Sequence, residues 1–355
     1  MYRKLYDYLL DFYNPEEFPA VVEQINQWRD TRPFESLKII DATPCFRNTM
    51  VKYCALLAGG AELYVPRTAK LPSDPEIVAK LPEFGIKCID EKDLTSGSFD
   101  LAADCAGTLC GVNSKYGYVE LTRSGLYYYQ QCKQPVYSAD SGLLKKFETI
   151  LGTGDGFARA MAKLGMTDFA GDDILLFGGG KVGFGIAWHL LKKAANITVA
   201  DFHAPYLPAG AKHLNASDRN AVLDAISGAK YIITATGIKD ALDPLADALA
   251  NSQAILVNMG AEDEFGSRMP ESRVLNDKKP LNFILDEPTL MKFIAPTMAV
   301  DNSGLEALVK KSLPCGISYP SAETESAILQ SVIAANVIPQ EDIDLILKYH
   351  QYKEN

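Results

Sequence analysis

Nothing in the chain approaches the roughly 18 uninterrupted apolar residues that a membrane-crossing helix needs, so none is expected. The opening stretch, Met1-Tyr-Arg-Lys-Leu-Tyr-Asp-Tyr8, soon meets Asp11, Glu16 and Glu17. It lacks the apolar core of a secretion signal and reads as an amphipathic helix. There are only four histidines and no HExxH run, so no metal site is expected. The seven cysteines (45, 54, 88, 105, 110, 132 and 315) are odd in number, lie among apolar residues and never take CxxC spacing. Reduced thiols of a cytoplasmic protein fit this better than a disulfide frame or a zinc site. Basic runs are missing too. With 45 acidic against 35 basic residues the formal charge is −10, a surface that phosphate backbones and anionic membranes repel on average. Neither nucleic acid nor membrane is an expected partner; a small molecule is. No internal repeat and no low-complexity stretch occurs.

What is present is a globular composition, 47% hydrophobic and 23% charged, in a chain of 355 residues, which is long for one core. Two helices broken at Asn14-Pro15 fill the first 31 residues. Strand patterns follow at Leu37–Asp41, Ala61–Val65, Ile86–Ile89 and Leu101–Asp104, with a helix over 48–58. Alternating strands and helices imply parallel βαβ units. Residues 141–165 read as a helical connector, and the glycines of Gly152-Thr-Gly-Asp-Gly156 read as a hinge rather than a phosphate loop. The strand pattern restarts at Ile174–Phe177, with a helix over 182–194. Further strands are expected at Ile197–Asp201, Tyr231–Thr236, Ala254–Asn258 and Phe283–Leu285, with helices after 295.

Gly178-Gly-Gly180-Lys181-Val182-Gly183 fits GxGxxG, and its setting matters more than its letters. It follows an apolar strand and opens a helix whose inner face is Val182, Ile186, Ala187, Leu190 and Leu191. Gly178 permits the tight turn, Gly180 lets the backbone approach a pyrophosphate, and Gly183 lets helix and strand pack closely. The helix N-terminus then offers unpaired N–H groups to the phosphates. Asp201 ends the next strand 18 residues after Gly183. A carboxylate there accepts both ribose hydroxyls and repels a 2′-phosphate, which points to NAD over NADP; Phe202, His203 and Ala204 supply no arginine to reverse this.

With these residues in view, the chain resembles the S-adenosylhomocysteine hydrolase (adenosylhomocysteinase) family over most of its length. Ala139-Asp-Ser-Gly-Leu-Leu-Lys-Lys-Phe-Glu148 is similar to the family's Asn-Asp-Ser-x-Thr-Lys-x-x-Phe-Asp. Thr236-Gly237 and Asn258-Met-Gly260 stand where the family has Thr-Gly and Asn-Ile-Gly-His, and Asp104 with Lys115-Tyr116 matches an Asp and a Lys-Tyr pair. Glu120 and Thr122-Arg-Ser-Gly125 look like its Glu-Thr-Thr-Thr-Gly. The resemblance implies bound NAD⁺ that oxidises a ribose 3′-hydroxyl, so that the C4′ proton is acidified, a 5′ thiol leaves, water adds and the hydride returns. Asp104, Glu120, Glu148 and Asn258 are its implied catalytic set. Gly178, Gly180, Lys181, Val182, Gly183, Asp201, Thr236, Gly237, Asn258 and Thr122 are its implied cofactor set. The family's lysine falls on Leu144, its aspartate on Glu148, its histidines on Ala261 and Ala299, and its His-Met-Thr near Pro44-Cys-Phe46. Lys145 lies about 100° from Leu144 on a helix and replaces the lysine only if the segment is locally re-registered.

The expected architecture is α/β, with two doubly wound Rossmann-like domains. Residues 1–150 begin the substrate domain, 165–295 form the NAD-binding domain, 296–340 return to the substrate domain and 341–355 are a tail. The leading functional expectation is NAD-dependent, adenosylhomocysteinase-like redox chemistry on a nucleoside or small polar metabolite. One alternative is a catalytically inactive NAD-binding regulator or partner subunit. Another is a dehydrogenase of a small hydroxy or amino acid, with Arg47 holding the carboxylate. Cys45 is a minor candidate nucleophile, since no histidine lies near it in sequence. Lys348 and Tyr352 are spaced like a C-terminal pair that the family donates to a neighbouring subunit, which implies a homodimer or homotetramer.

Overall fold

The structure, a computed structural model, describes residues 1–94 and 96–354. It divides into two compact units, the first made of residues 1–147 and 290–350, the second of residues 148–289 with the C-terminal residues from 351.

The first unit is built on a parallel sheet of β1 (Lys38–Asp41), β2 (Glu62–Arg67), β3 (Lys87–Asp90), β4 (Leu101–Asp104), β5 (Tyr118–Glu120), β6 (Pro135–Ser138) and the strand Gly316–Ser318. Their order across the sheet is Gly316–Ser318, β6, β5, β4, β1, β2, β3. The chain steps outward from β1 to β3, then returns to the other side of β1 and continues through β4 to β6. The direction of winding therefore reverses between β1 and β4, where Asp41 pairs with Ala103. Such a switch point leaves a crevice at the carboxyl ends of the strands. The helix α1 (Met50–Ala58) buries eight of its nine residues, as a crossover helix beneath further structure must.

The second unit repeats this winding with β7 (Asp173–Phe177), β8 (Asn196–Asp201), β9 (Lys212–Asn215), β10 (Tyr231–Thr234), β11 (Ile255–Asn258) and β12 (Val274–Leu275). The order β9, β8, β7, β10, β11, β12 puts its switch point between β7 and β10, with Phe177 opposite Thr234. The period of two along β7 feeds two cores. Ile174 and Leu176 pack with Phe157, Met161, Ile186 and Leu190, while Leu175 and Phe177 pack with Val222, Ile226 and Leu249. Each buried side chain of this size contributes about 1.5–3 kcal/mol.

Three expectations change. Residues 281–284 form a 3₁₀ turn, and the last strand of the second sheet is instead β12 at 274–275. Two residues between turn formers give too short an apolar run to register as a strand. The glycine-rich segment, expected as a hinge, is helical. A π-helical stretch, Phe147–Gly152, runs directly into α2 (Thr153–Lys163). A side chain on Gly154 would collide with the Gly185 carbonyl of α3 (Lys181–Leu191), and one on Gly185 with the carbonyl of Ile150. These glycines let two helices touch backbone to backbone. Finally β5, β6, β9 and Gly316–Ser318 are strands that periodicity did not mark, being three or four residues long.

Candidate functional site

In the second unit the turn after β7 has the shape a dinucleotide requires. Gly178 takes φ +96, and a Cβ there would lie 2.5 Å from the Ala235 carbonyl oxygen, so only glycine fits between β7 and the loop after β10. At Gly183 a side chain would collide with the Gly178 carbonyl, whereas Gly180 faces open space. That opening stands at the N-terminus of α3, whose first turn is Lys181, Val182 and Gly183. Asp201 sits at the carboxyl end of β8 and accepts the Gly179 N–H at 2.8 Å. A cavity of about 470 Å³ joins Gly178, Gly180, Asp201, Thr236 and Ile238. The residues therefore fit a dinucleotide: a backbone cradle for the pyrophosphate and a carboxylate for the ribose beside it.

Arg219 lines the same cavity and was not found from sequence. It opens the helix after β9, and β9 lies next to β8, so its neighbourhood with Asp201 is a property of strand order alone. Its guanidinium donates to the Pro244 carbonyl at 3.3 Å.

Glu264 was missed as well. It is fully buried and accepts the N–H groups of Thr236 (2.8 Å) and Gly237 (2.6 Å), the Thr236 hydroxyl (2.8 Å) and the Thr234 hydroxyl. One carboxylate thus fixes the loop that borders the switch point. Asn258, at the end of β11, is equally engaged: its amide donates to the carbonyls of Glu262 (2.8 Å) and Lys278 (2.5 Å) and accepts from Gly260 (3.0 Å). Its place in the structure is to shape the loop after β11.

In the first unit Asp104 ends β4 at the switch point and is 1% exposed. It accepts the N–H groups of Cys105 (2.7 Å) and Leu109 (2.8 Å) and the hydroxyl of Tyr129 (2.5 Å). Burial, reinforced by the nearby charge of Glu120, pushes its carboxyl up to about 7 against the effect of these bonds. Glu120, at the end of the adjoining β5, is also raised by burial. It accepts from Ala106 (3.1 Å), Gly107 (3.2 Å) and the backbone of Thr122 (2.8 Å), and from the Thr122 hydroxyl (2.6 Å). Thr122 is itself the N-cap of the helix Arg123–Leu126. Asp104, Glu120 and Tyr129 thus form one buried cluster under the loop 105–109, with the half-buried Thr122 at its edge.

Glu148 is partly buried within the π-helical stretch and opens the second unit. Leu144 is fully buried, its N–H donating to Glu325 at 3.1 Å. Lys145 and Lys146 are 5% and 9% exposed. A π-helical stretch begins at Phe147, beyond both lysines, and shifts the register of the residues that follow them. Ala299 is buried and Ala261 exposed. Burial pushes the Cys45 thiol up to about 12, which removes it as a nucleophile. The Arg47 guanidinium lies over the Phe12 ring at 4.1 Å. Tyr352 stacks on Tyr206 of its own chain, with centroids 4.6 Å apart.

Comparison with known proteins agrees with this geometry. Residues 166–268 match a family described as "Putative NAD(P)-binding". The chain is similar to an adenosylhomocysteinase of Thermoplasma acidophilum, 24% identical over 278 residues, a match covering 69% of this chain and 66% of that protein. It is also similar to an adenosylhomocysteinase of Thermoplasma volcanium, 22% identical over 299 residues, covering 76% of this chain and 72% of that protein. The chain thus spans just under two thirds of the first relative. Among solved structures, a dipicolinate synthase subunit from Bacillus halodurans matches with a TM-score of 0.46 and 10% identity, covering 75% of this chain and 96% of that one. The second unit thus carries an NAD-binding domain of Rossmann type, and over about 70% of its length the chain is similar to adenosylhomocysteinases.

Proposed function

We propose that the protein is an NAD-dependent redox enzyme related to the adenosylhomocysteinases, acting on a hydroxyl of a nucleoside or other small polar metabolite. The observation that carries this is the second unit's switch point, with Gly178, Gly180 and Gly183 forming the cradle and Asp201 beside it. Gly178, Gly180, Lys181, Val182 and Gly183 would hold the pyrophosphate, Asp201 the adenosine ribose, and Thr236 and Gly237 the far wall. When bound, NAD supplies a hydride acceptor.

In the first unit, Asp104 has the character of a proton-transfer group, since a carboxyl held near neutrality gains and loses a proton at working pH. Tyr129 donates its hydroxyl proton to Asp104 Oδ2, and Glu120 positions the loop around it. Glu148 is the remaining carboxylate of the expected set. Leu144, Ala261 and Ala299 carry no proton-transfer group, which argues that hydrolysis of adenosylhomocysteine itself is not the reaction.

A second reading has its own support. Asp104, Glu120 and Asn258 are each engaged with their own loops, the state expected of an inactive NAD-binding regulator that kept the scaffold. The readings separate in one experiment. The purified protein is supplied with NAD⁺ and a panel of nucleosides and small hydroxy compounds, and nicotinamide fluorescence is followed. An enzyme reduces its nicotinamide with at least one of them, and Asp104→Asn lowers that rate at least about a hundredfold. No reduction with any compound favours the regulator.

A further inference from the structure

The first unit holds a cavity of about 540 Å³ that the dinucleotide reading does not use. It lies beyond the carboxyl ends of β1 and β2, walled by residues of the segments 42–45, 65–69 and 71–79. Backbone pairing builds it. Cys45 and Ser73 form a β-bridge, Asp74 N–H donates to the Cys45 carbonyl at 2.9 Å, and Asp74 caps the helix Pro75–Lys80 by accepting from Glu76 and Ile77. Arg67 is the one charged lining residue. Thr43, Thr68 and Ser73 supply hydroxyls, and the rest of the wall is apolar. Arg67 meets Asp90 at 3.4 Å on the open side, a contact that leaves most of its donors unused.

Behind Thr43 stands a buried charge cluster. Lys52, Asp41 and Asp301 have fully buried side chains, and the ammonium is paired with both carboxylates. Burial pulls Lys52 down, but Asp301 and Asp41 outweigh it and the group stays charged. Its third proton goes to Thr43 Oγ1 at 3.0 Å. An ammonium has three protons and no lone pair, so Thr43 Oγ1 can only accept from it. The hydroxyl's own proton must therefore be offered elsewhere, and the hydrogen bonds of the described residues give it no acceptor. Thr43 belongs to the cavity wall. Arg67 and Thr43 thus line one concave site that carries no carboxylate in its lining.

We propose that this cavity binds an oxyanion, a carboxylate or phosphate carried by a small metabolite, with Arg67 as its countercharge and Thr43 as a neutral donor oriented by Lys52. The site stands independently of the cofactor; if the protein is a redox enzyme, the oxyanion belongs to its substrate. It also moves the carboxylate-holding role from Arg47, which lies against Phe12, to Arg67.

Calorimetric titration of the full chain with succinate, inorganic phosphate and neutral succinamide, at constant ionic strength, tests this. At least one anion binds and succinamide does not; succinate alone identifies a carboxylate site and phosphate alone a phosphate site. Arg67→Gln weakens binding about tenfold or more, as loss of a charge-assisted pair should. Asp90→Asn leaves the arginine less engaged and strengthens binding. Thr43→Val weakens it about fivefold, while Thr43→Ser retains it. Binding of neither anion, equal binding of succinamide, or an unchanged affinity in Arg67→Gln overturns the proposal. NAD titrated into the same sample reads the cofactor separately, so either claim can fail alone.

Discussion

Asp201 supports the glycine turn through Gly179, and in the proposed reading it also receives the ribose hydroxyls. Its charge opposes a 2′-phosphate, but Arg219 lines the same cavity and favours one. The balance therefore rests on a single carboxylate. Asp201→Ser is expected to weaken NAD about tenfold and to bring the NADP dissociation constant level with or below that of NAD; an unchanged ratio in paired fluorescence titrations contradicts the assignment. The acid was legible at its spacing after Gly183. Arg219 was not, because nothing local to it says that β9 lies beside β8. Asp104 gives a second test. Its folded carboxyl is pushed up to about 7, above the roughly 3.9 of an unfolded chain, so the native state binds more protons in between. The stability this represents is fully present below about pH 4 and is lost as pH rises through about 7. Asp301, raised by burial to about 6, acts in the same direction. Urea unfolding across that range should show a smaller decline with pH for Asp104→Asn than for the parent, with the Asp301 part remaining. An identical decline contradicts the buried, proton-holding role.

At the scale of elements, the two units solve one problem in the same way. Each winds outward from its first strand, reverses, and leaves a loop at the switch point whose N–H groups need acceptors. In the first unit Glu120 accepts from Ala106, Gly107 and Thr122; in the second Glu264 accepts from Thr236 and Gly237. A carboxylate suits this because it accepts several bonds and donates none. Glu264→Gln replaces one of its two oxygens by an NH2 group, which sets a donor against the Gly237 N–H or the Thr236 N–H. It should cost about 1–3 kcal/mol in urea unfolding and weaken NAD about tenfold by loosening the Thr236–Gly237 wall. Full stability with unaltered NAD affinity excludes the role. Glu264 escaped the sequence reading because its partners lie about 30 positions upstream and its own surroundings, Asp263-Glu264-Phe265-Gly266, look like a surface turn. Glu120 was reached only through a family resemblance. Long apolar runs such as Ile174–Phe177 announced their strands, whereas β5 and β12, three and two residues long, are strands by virtue of their neighbours.

At the scale of the whole molecule, alternating strand and helix patterns were enough to expect two doubly wound α/β units, and both sheets are parallel with one reversal of winding each. The return of residues 290–350 to the first unit includes a strand, Gly316–Ser318, that adds to β6. A three-residue strand after a long helix leaves no periodic trace, so this closure is set by its neighbour in the sheet rather than by local pattern. The glycine segment has a second use that the sequence does not show: Gly154 lets its helix approach the Gly185 backbone, a partner about 30 positions downstream. The cofactor half of the account was thus readable from a local motif, while the chemistry of the first unit depends on residues gathered from distant strands. The most direct measurement is mass spectrometry of the small molecules released when freshly purified protein is denatured, followed by titration of NAD into the stripped, refolded chain. NAD or NADH is expected in a fixed ratio to protein, or failing carry-over, saturable binding on titration that Gly183→Ala abolishes. No dinucleotide released and no binding on titration contradicts it and leaves a Rossmann fold without its ligand.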